Sequence, residues 1–379
     1  MPSLILNGGS SLLLAFAGAM FVTWYSMPRI IKIASKRRLT DKPGTHKIHI
    51  GEIPTLGGIG IFGGFTFGFL LSINGYMEGA SYFTAALIIL FFIGMKDDLI
   101  NIKPYKKIVA QVFAAIIIAS FTHLRFTTFH GFLGINEVPV WISYFTTIFL
   151  VVIIINSLNL IDGIDGLAAS IGIIASTTLG IWAFLSGDIG YAIMAASLTG
   201  TLIVFLIFNL SKKKYKIFMG DTGSMVIGFI LAVMTIHFNE INAGQTTYHR
   251  LISAPAVSIA ILIIPLFDTL RVIVIRLVHG QSPLIADNRH IHHLLLRIGC
   301  THRRATLYIS LTNIFIIALA FLLDHIGILW LSIVLLAVSI TLTAIVYVIV
   351  AGREGWNWKK TRWWIPGSSE QGTIKTRTK

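Results

Sequence analysis

Long apolar runs separated by short polar segments recur along the whole chain, and that alternation predicts its architecture. A helix needs roughly 17–25 apolar residues to cross hydrocarbon. Marking runs of that kind gives about eleven: 4–27, 57–74, 81–95, 108–124, 139–157, 167–185, 190–210, 222–238, 251–274, 304–323 and 327–351. The run at 81–95 is short and needs residues from its flanks. The expected fold class is an all-α polytopic integral membrane protein with about 11 transmembrane helices. Its expected division is a membrane domain over 1–351 and a basic, Trp-rich tail over 352–379. No Lys or Arg precedes Arg29, so the first run lacks the basic start of a cleaved signal and reads as a span. No internal repeat is evident, which gives an inverted-repeat transporter no support.

Composition agrees: 55% hydrophobic and 12% charged residues exclude a set of soluble domains. With alternating direction, segments 28–56, 96–107, 158–166, 211–221, 275–303 and the tail fall on one side. Of the 30 Lys and Arg, only Arg125 and Arg250 fall on the other. The positive-inside rule makes the basic side cytoplasmic. The net charge of +14 is therefore a topology signal, and nucleic acid is not expected as a partner, because no basic patch interleaves with a recognition fold. The tail carries Trp356, Trp358, Trp363 and Trp364 among Lys359, Lys360 and Arg362, a mixture suited to headgroups. Cys300 is the single cysteine, so no intrachain disulfide forms.

The chemistry-bearing residues gather at span ends on the basic side. Carboxylates are costly in hydrocarbon and read there as functional. Asp97-Asp98 follows the third run; two adjacent like charges either hold a proton or cation between them, or are solvated and balanced by Lys103, Lys106 and Lys107. Asn156 to Gly166 contains Asn156, Asn159, Asp162 and Asp165. The two acids would share one face if the segment is helical. A helix cap would explain one of them, not both. Asp221 in Phe218–Ser224 opens an apolar run, where it is either an N-cap or part of a phosphate cradle. His290, His292 and His293 lie beside Arg289 in a polar loop. A zinc site would need Cys300 as a fourth ligand at an unfamiliar spacing, so hydrogen bonding to a diphosphate is the preferred reading. Lys47 and His49 precede the Pro54-Thr55-Leu56-Gly57-Gly58 loop, with phosphate contact or interface lysines as the two readings.

Taken in order, these blocks resemble the polyprenyl-phosphate N-acetylhexosamine-1-phosphate transferases (glycosyltransferase family 4). The His-Ile-His-His run at 290–293 is similar to the GlcNAc-1-phosphate branch. The peptidoglycan branch, which transfers phospho-MurNAc-pentapeptide, has three consecutive histidines and is the alternative. The resemblance implies transfer of a HexNAc-1-phosphate from a UDP-N-acetylhexosamine to polyprenyl phosphate at a bacterial inner membrane, with the catalytic loops facing the cytoplasm. It implies Mg²⁺, with Mn²⁺ as a substitute. Asp221 is the first metal ligand and Asp98 its companion, and Asp97 or Asp98 is the proton acceptor. Asp162 and Asp165 border the nucleotide or sugar as catalytic acids. Lys47, His49, Lys107, Asn156, Asn159, Arg289, His290, His292 and His293 bind substrate. A homodimer is left open. The rival from another class is an ion-coupled transporter, for which Asp268, inside the run 251–274, is the one supporting residue.

Overall fold

The computed structural model describes all residues except 1, 38, 42–52, 133, 212, 245–248, 282–288 and 355–379. Lys47, His49 and most of the tail therefore lie outside the described residues. Thirteen α-helices are described: α1 (Pro2–Lys36), α2 (Gly57–Ser72), α3 (Ala80–Ile100), α4 (Pro104–Phe121), α5 (Val140–Ile161), α6 (Leu167–Leu185), α7 (Ile189–Asn209), α8 (Gly220–Ala243), α9 (Ala254–Ile261), α10 (Ile263–Val278), α11 (Ile291–Arg297), α12 (His302–Leu322) and α13 (Ile328–Glu354). Two small antiparallel ribbons complete it: β1 (Thr40–Asp41) with β2 (Ile53–Pro54), and β3 (Thr128–Phe132) with β4 (Ile135–Glu137). This is an all-α, multi-pass membrane protein.

Among the described residues, eight helices are long and apolar enough to cross a membrane, or nine if the bent pair α9–α10 is one span. The expected eleven is reached only by adding α2 and α3. α8 is the central helix, 83% buried over its most apolar window, and packs against α3, α5 and α2. α13 lies outermost, with 17% of its window buried. Between spans lipid is as apolar as leucine, so close backbone packing holds helices together. Small residues supply it here: a Cβ on Gly68 of α2 would collide with the Ala15 carbonyl of α1, and one on Gly180 of α6 with Ala195 of α7.

Two expectations change. The third run does not stop at Met95; α3 continues through Ile100, so Asp97 and Asp98 sit within its last turns. The expected single span 251–274 is broken, with α9 and α10 bent by 82° about Leu262. Pro265 cannot donate to the Ile261 carbonyl and its ring clashes there. The freed carbonyl accepts a hydrogen bond from Asn313 Nδ2 of α12 at 3.3 Å, the repair a broken helix needs in a dry interior.

Candidate active site

The site grows from the N-terminus of α8. The extended stretch before it pairs with the loop before α2: Phe218 N donates to Pro54 O (2.8 Å), Gly57 N to Phe218 O (3.0 Å) and Gly58 N to Met219 O (2.9 Å). The first N–H groups of α8 still need acceptors, and Met219 at the cap has no side-chain oxygen to offer. Asp98 reaches across from α3 instead. Its Oδ1 accepts from Asp221 N (2.7 Å), and its Oδ2 from Thr222 N (3.1 Å) and Thr222 Oγ1 (2.5 Å). Only glycine fits at 220, where φ is +72° and a Cβ would lie 2.7 Å from both Asp98 oxygens.

Asp221 is thereby held beside Asp97. Lys107 of α4 pairs with Asp97 and lies 3.1 Å from Asp221 Oδ1. Asp97 also accepts from Ile102 N (2.6 Å), closing α3. Asn159 of α5 donates to Asp221 Oδ1 and approaches Ser224 Oγ at 2.8 Å. Asn156, one turn earlier, turns to Gln111 Oε1 of α4 (2.7 Å), so it braces α4 and α5 rather than joining the acids.

Asp162 and Asp165 do not share a helical face. α5 ends at Ile161, and Asp162–Gly166 forms turns, with Gly166 at φ +80°. Asp165 points to Lys216 Nζ (2.5 Å) and His302 Nδ1 (3.4 Å). Burial works against its charge, but bonds from His302 and Lys216 hold its carboxyl below the usual carboxylate range. Asp162 accepts no hydrogen bond or ion pair among the described residues. Burial, then the charges of Asp221, Asp98 and Asp165, push its carboxyl well above the usual range. The same turn thus carries one carboxylate paired through its Oδ2, with Oδ1 lacking a partner among the described residues, and one with no partner among them at all.

The histidines arrive on α11. Asp268 of α10 accepts from His290 Nδ1 (2.9 Å), Ile291 N (3.0 Å) and Arg271 (2.6 Å). Arg271 also donates to the Arg289 carbonyl (2.6 Å) and the Tyr347 hydroxyl (2.7 Å). His292 is 1% exposed, yet neither ring nitrogen has a partner among the described residues. Burial, with the charge of His293 next, lowers its pKa to about 3, so the ring is neutral. His290 and His293 flank it with ring centroids at 5.7 and 4.3 Å. The ring packs on Gly163: a Cβ there would lie 2.6 Å from His292 Nε2. The histidine loop therefore closes on the residue after Asp162.

Sequence reasoning missed Asp268, Arg271, Thr222 and Lys216. Asp268 was the transporter rival's sole support. Here it anchors His290 beyond the α9–α10 break, and Arg271 three residues on was the readable signal. Among the described residues no three His, Cys, Asp or Glu converge as a ready metal cage. A partnerless Asp162 in the field of Asp221 instead fits Mg²⁺, which takes one or two carboxylates and completes its shell with substrate phosphates and water.

The glycosyl transferase family 4 model matches residues 80–239, which hold every acid of this site except Asp268. The chain is 32% identical over 299 residues to the undecaprenyl-phosphate alpha-N-acetylglucosaminyl 1-phosphate transferase of Escherichia coli (strain K12), covering 78% of this chain and 79% of that protein. The like-named protein of Yersinia pestis is 33% identical over 74% of this chain and 75% of its own length. The probable undecaprenyl-phosphate N-acetylglucosaminyl 1-phosphate transferase of Bacillus subtilis (strain 168) is 30% identical over 88% and 91%. On motifs, geometry and likeness over most of its length, this chain belongs to glycosyl transferase family 4.

Proposed function

We propose that the protein transfers N-acetylglucosamine-1-phosphate from UDP-N-acetylglucosamine to undecaprenyl phosphate, releasing UMP. The lipid-phosphate oxygen bonds to the sugar-bearing phosphorus while the bond from that phosphorus to the UMP oxygen breaks. One observation carries the reading: His292, buried with two free ring nitrogens, sits against Gly163 beside the unpaired Asp162, at the end of the bundle where Lys107 bridges Asp97 and Asp221. Such transfers need little covalent help from protein; alignment and charge stabilisation dominate.

The roles follow from where the side chains stand and what each still has to offer. Asp221 and Asp162 would hold Mg²⁺, which when bound neutralises diphosphate charge. Lys107 offers its ammonium to an incoming phosphate. His292 is neutral and can donate one N–H to the diphosphate, with His290 fixed by Asp268 beside it. Asp98 acts through α8, and Asn159 holds the Asp221 carboxylate. Asp97 is the nearest acid to accept a proton, a modest task because a phosphate monoester is already mostly dianionic at neutral pH, its second pKa being about 6.

Purified protein given undecaprenyl phosphate and, separately, UDP-GlcNAc, UDP-GalNAc and UDP-MurNAc-pentapeptide should release UMP with the first in a Mg²⁺-dependent manner. Release only with the pentapeptide donor would move the protein to the peptidoglycan branch. The charge split supports a site facing the cytoplasm at the bacterial inner membrane. Cysteines placed at Ser211 and Ser186 should accordingly label from opposite sides, and labelling of both from one side would break the topology.

A further inference from the structure

Arg125 and Arg250 are the two cations that break the charge asymmetry of this chain, and they line one cavity. The cavity, of about 600 Å³, lies at the end of the bundle remote from the acids, between the β3–β4 ribbon, the start of α5 and the end of α8. α5 and α8, at 22 and 24 residues, put roughly 30 Å between the two ends. The cavity is therefore unconnected with the transfer site.

The charges inside are unsatisfied. Among the described residues neither arginine has an ion pair; Arg125 lies over the Tyr144 ring, 5.4 Å from its centroid. Glu240, near enough to feel Arg125, is taken by Thr127, which donates from N (2.8 Å) and Oγ1 (2.6 Å). Glu137 shares the lining without pairing to either arginine, so the lining itself carries two cations and one carboxylate, with the Glu240 carboxylate behind it. The lining also holds Ser143, 2% exposed, whose hydroxyl has no partner among the described residues. An unspent hydroxyl and two guanidiniums in a walled recess are the parts of an oxyanion site, and guanidinium forks match phosphate oxygens.

The rim identifies the anion's carrier. Val140 and Ile252 line the cavity and are 58% and 60% exposed, and Trp141 beside them is 73% exposed. An exposed Trp and aliphatics next to cations mark the level of lipid headgroups. We propose that this cavity binds the phosphate of a membrane phospholipid headgroup, held between Arg125 and Arg250 with the acyl chains lying over the Val140–Trp141 rim.

The test uses full-length protein, delipidated in detergent and titrated with dioctanoyl phosphatidylglycerol while bound lipid is counted by native mass spectrometry. Wild type should take up one lipid tightly. R125Q/R250Q should lose at least ten-fold in affinity and R125K/R250K less, with UMP release unchanged in both. Equal uptake by wild type and R125Q/R250Q overturns the proposal. A second arm needs no variant: the phosphate-bearing lipid should raise the melting temperature of wild type, and a galactolipid of the same chain length should not. Equal stabilisation by the two lipids overturns the proposal. So does Arg-dependent binding of inorganic phosphate with no binding of the lipid, which would leave a free-anion site.

Discussion

The two ends of α5 and α8 handle charge in opposite ways. At the far end the half-buried acids Asp188, Glu240 and Asp324 are consumed by structure. Asp188 caps α7 through Tyr191 N (3.2 Å) and pairs with His237 (2.6 Å), Glu240 holds Thr127, and Asp324 closes the start of α9 through Ile252 N and Ser253 N. At the site end some acids are likewise spent, but Asp162 is not, and Asp97 and Asp221 share one lysine. Satisfied acids hold helices; an unsatisfied one among like charges is a standing invitation to a cation. Exposure or sequence position does not separate these classes, whereas the presence or absence of a partner for the carboxylate does.

The comparison breaks hardest at Asp162. D162N keeps shape and removes charge, so UMP release should fall about 100-fold or more, the scale of losing one transition-state contact. The same change removes repulsion from Asp221, so thermal stability in detergent should hold or rise. A fall in stability with near-normal turnover would show that Asp162 is structural after all. D188A should behave inversely, losing about 0.5–2 kcal/mol of stability as a lost cap while keeping most of its turnover.

Asp98 tests whether a site-end acid can be purely structural. D98A would leave two N–H groups and a hydroxyl at the head of α8 without acceptors, at about 1–3 kcal/mol for each group that water cannot reach. It should unfold earlier than D162N and lose activity through displacement of Asp221. D98N keeps one acceptor oxygen and should be intermediate in both. Equal melting of D98A and wild type would return Asp98 to the list of chemical groups.

Much of this was legible beforehand, and the failures have physical causes. Hydrophobic runs located the long helices among the described residues, because lipid imposes length and apolarity on each of them, but not the break between α9 and α10. Motif order brought the acids and histidines to one end because alternating direction leaves few choices. The shared face of Asp162 and Asp165 held only if their segment was helical, and it is not: α5 ends at Ile161, and Gly166, at left-handed φ, caps the start of α6. The break at Leu262 was signalled by Pro265 alone, and a proline inside a long apolar run is easily overlooked. The cap roles were invisible. Asp98, Asp324 and Asp268 close the starts of α8, α9 and α11 from other helices, and no local spacing announces an acceptor lent from elsewhere.

Asp165 sharpens the contrast through pH. Its folded pKa is depressed, so its contribution to stability is present above the unfolded value near 4 and is lost as pH falls through the folded value. Acid titration of unfolding should therefore show a loss below about pH 4 that K216M diminishes. An unchanged acid profile in K216M would mean that the Lys216 contact does not hold that charge.

Cys300 should give the smallest effect. It is half-buried, packed against the apolar core near the end of α11, and holds no disulfide. C300S should stay within about 0.5 kcal/mol of wild type, the usual range for a change away from caps, cavities and networks. The value of this variant lies in what it tests about the histidines. His292 keeps two buried nitrogens without partners, which suits a substrate diphosphate and would equally suit zinc if a thiolate could join. Diphosphate binding requires C300S to turn over normally and the purified protein to contain no stoichiometric zinc. One zinc per chain, lost together with activity in C300S, would make the histidine loop a metal site and strip His292 of the role assigned to it.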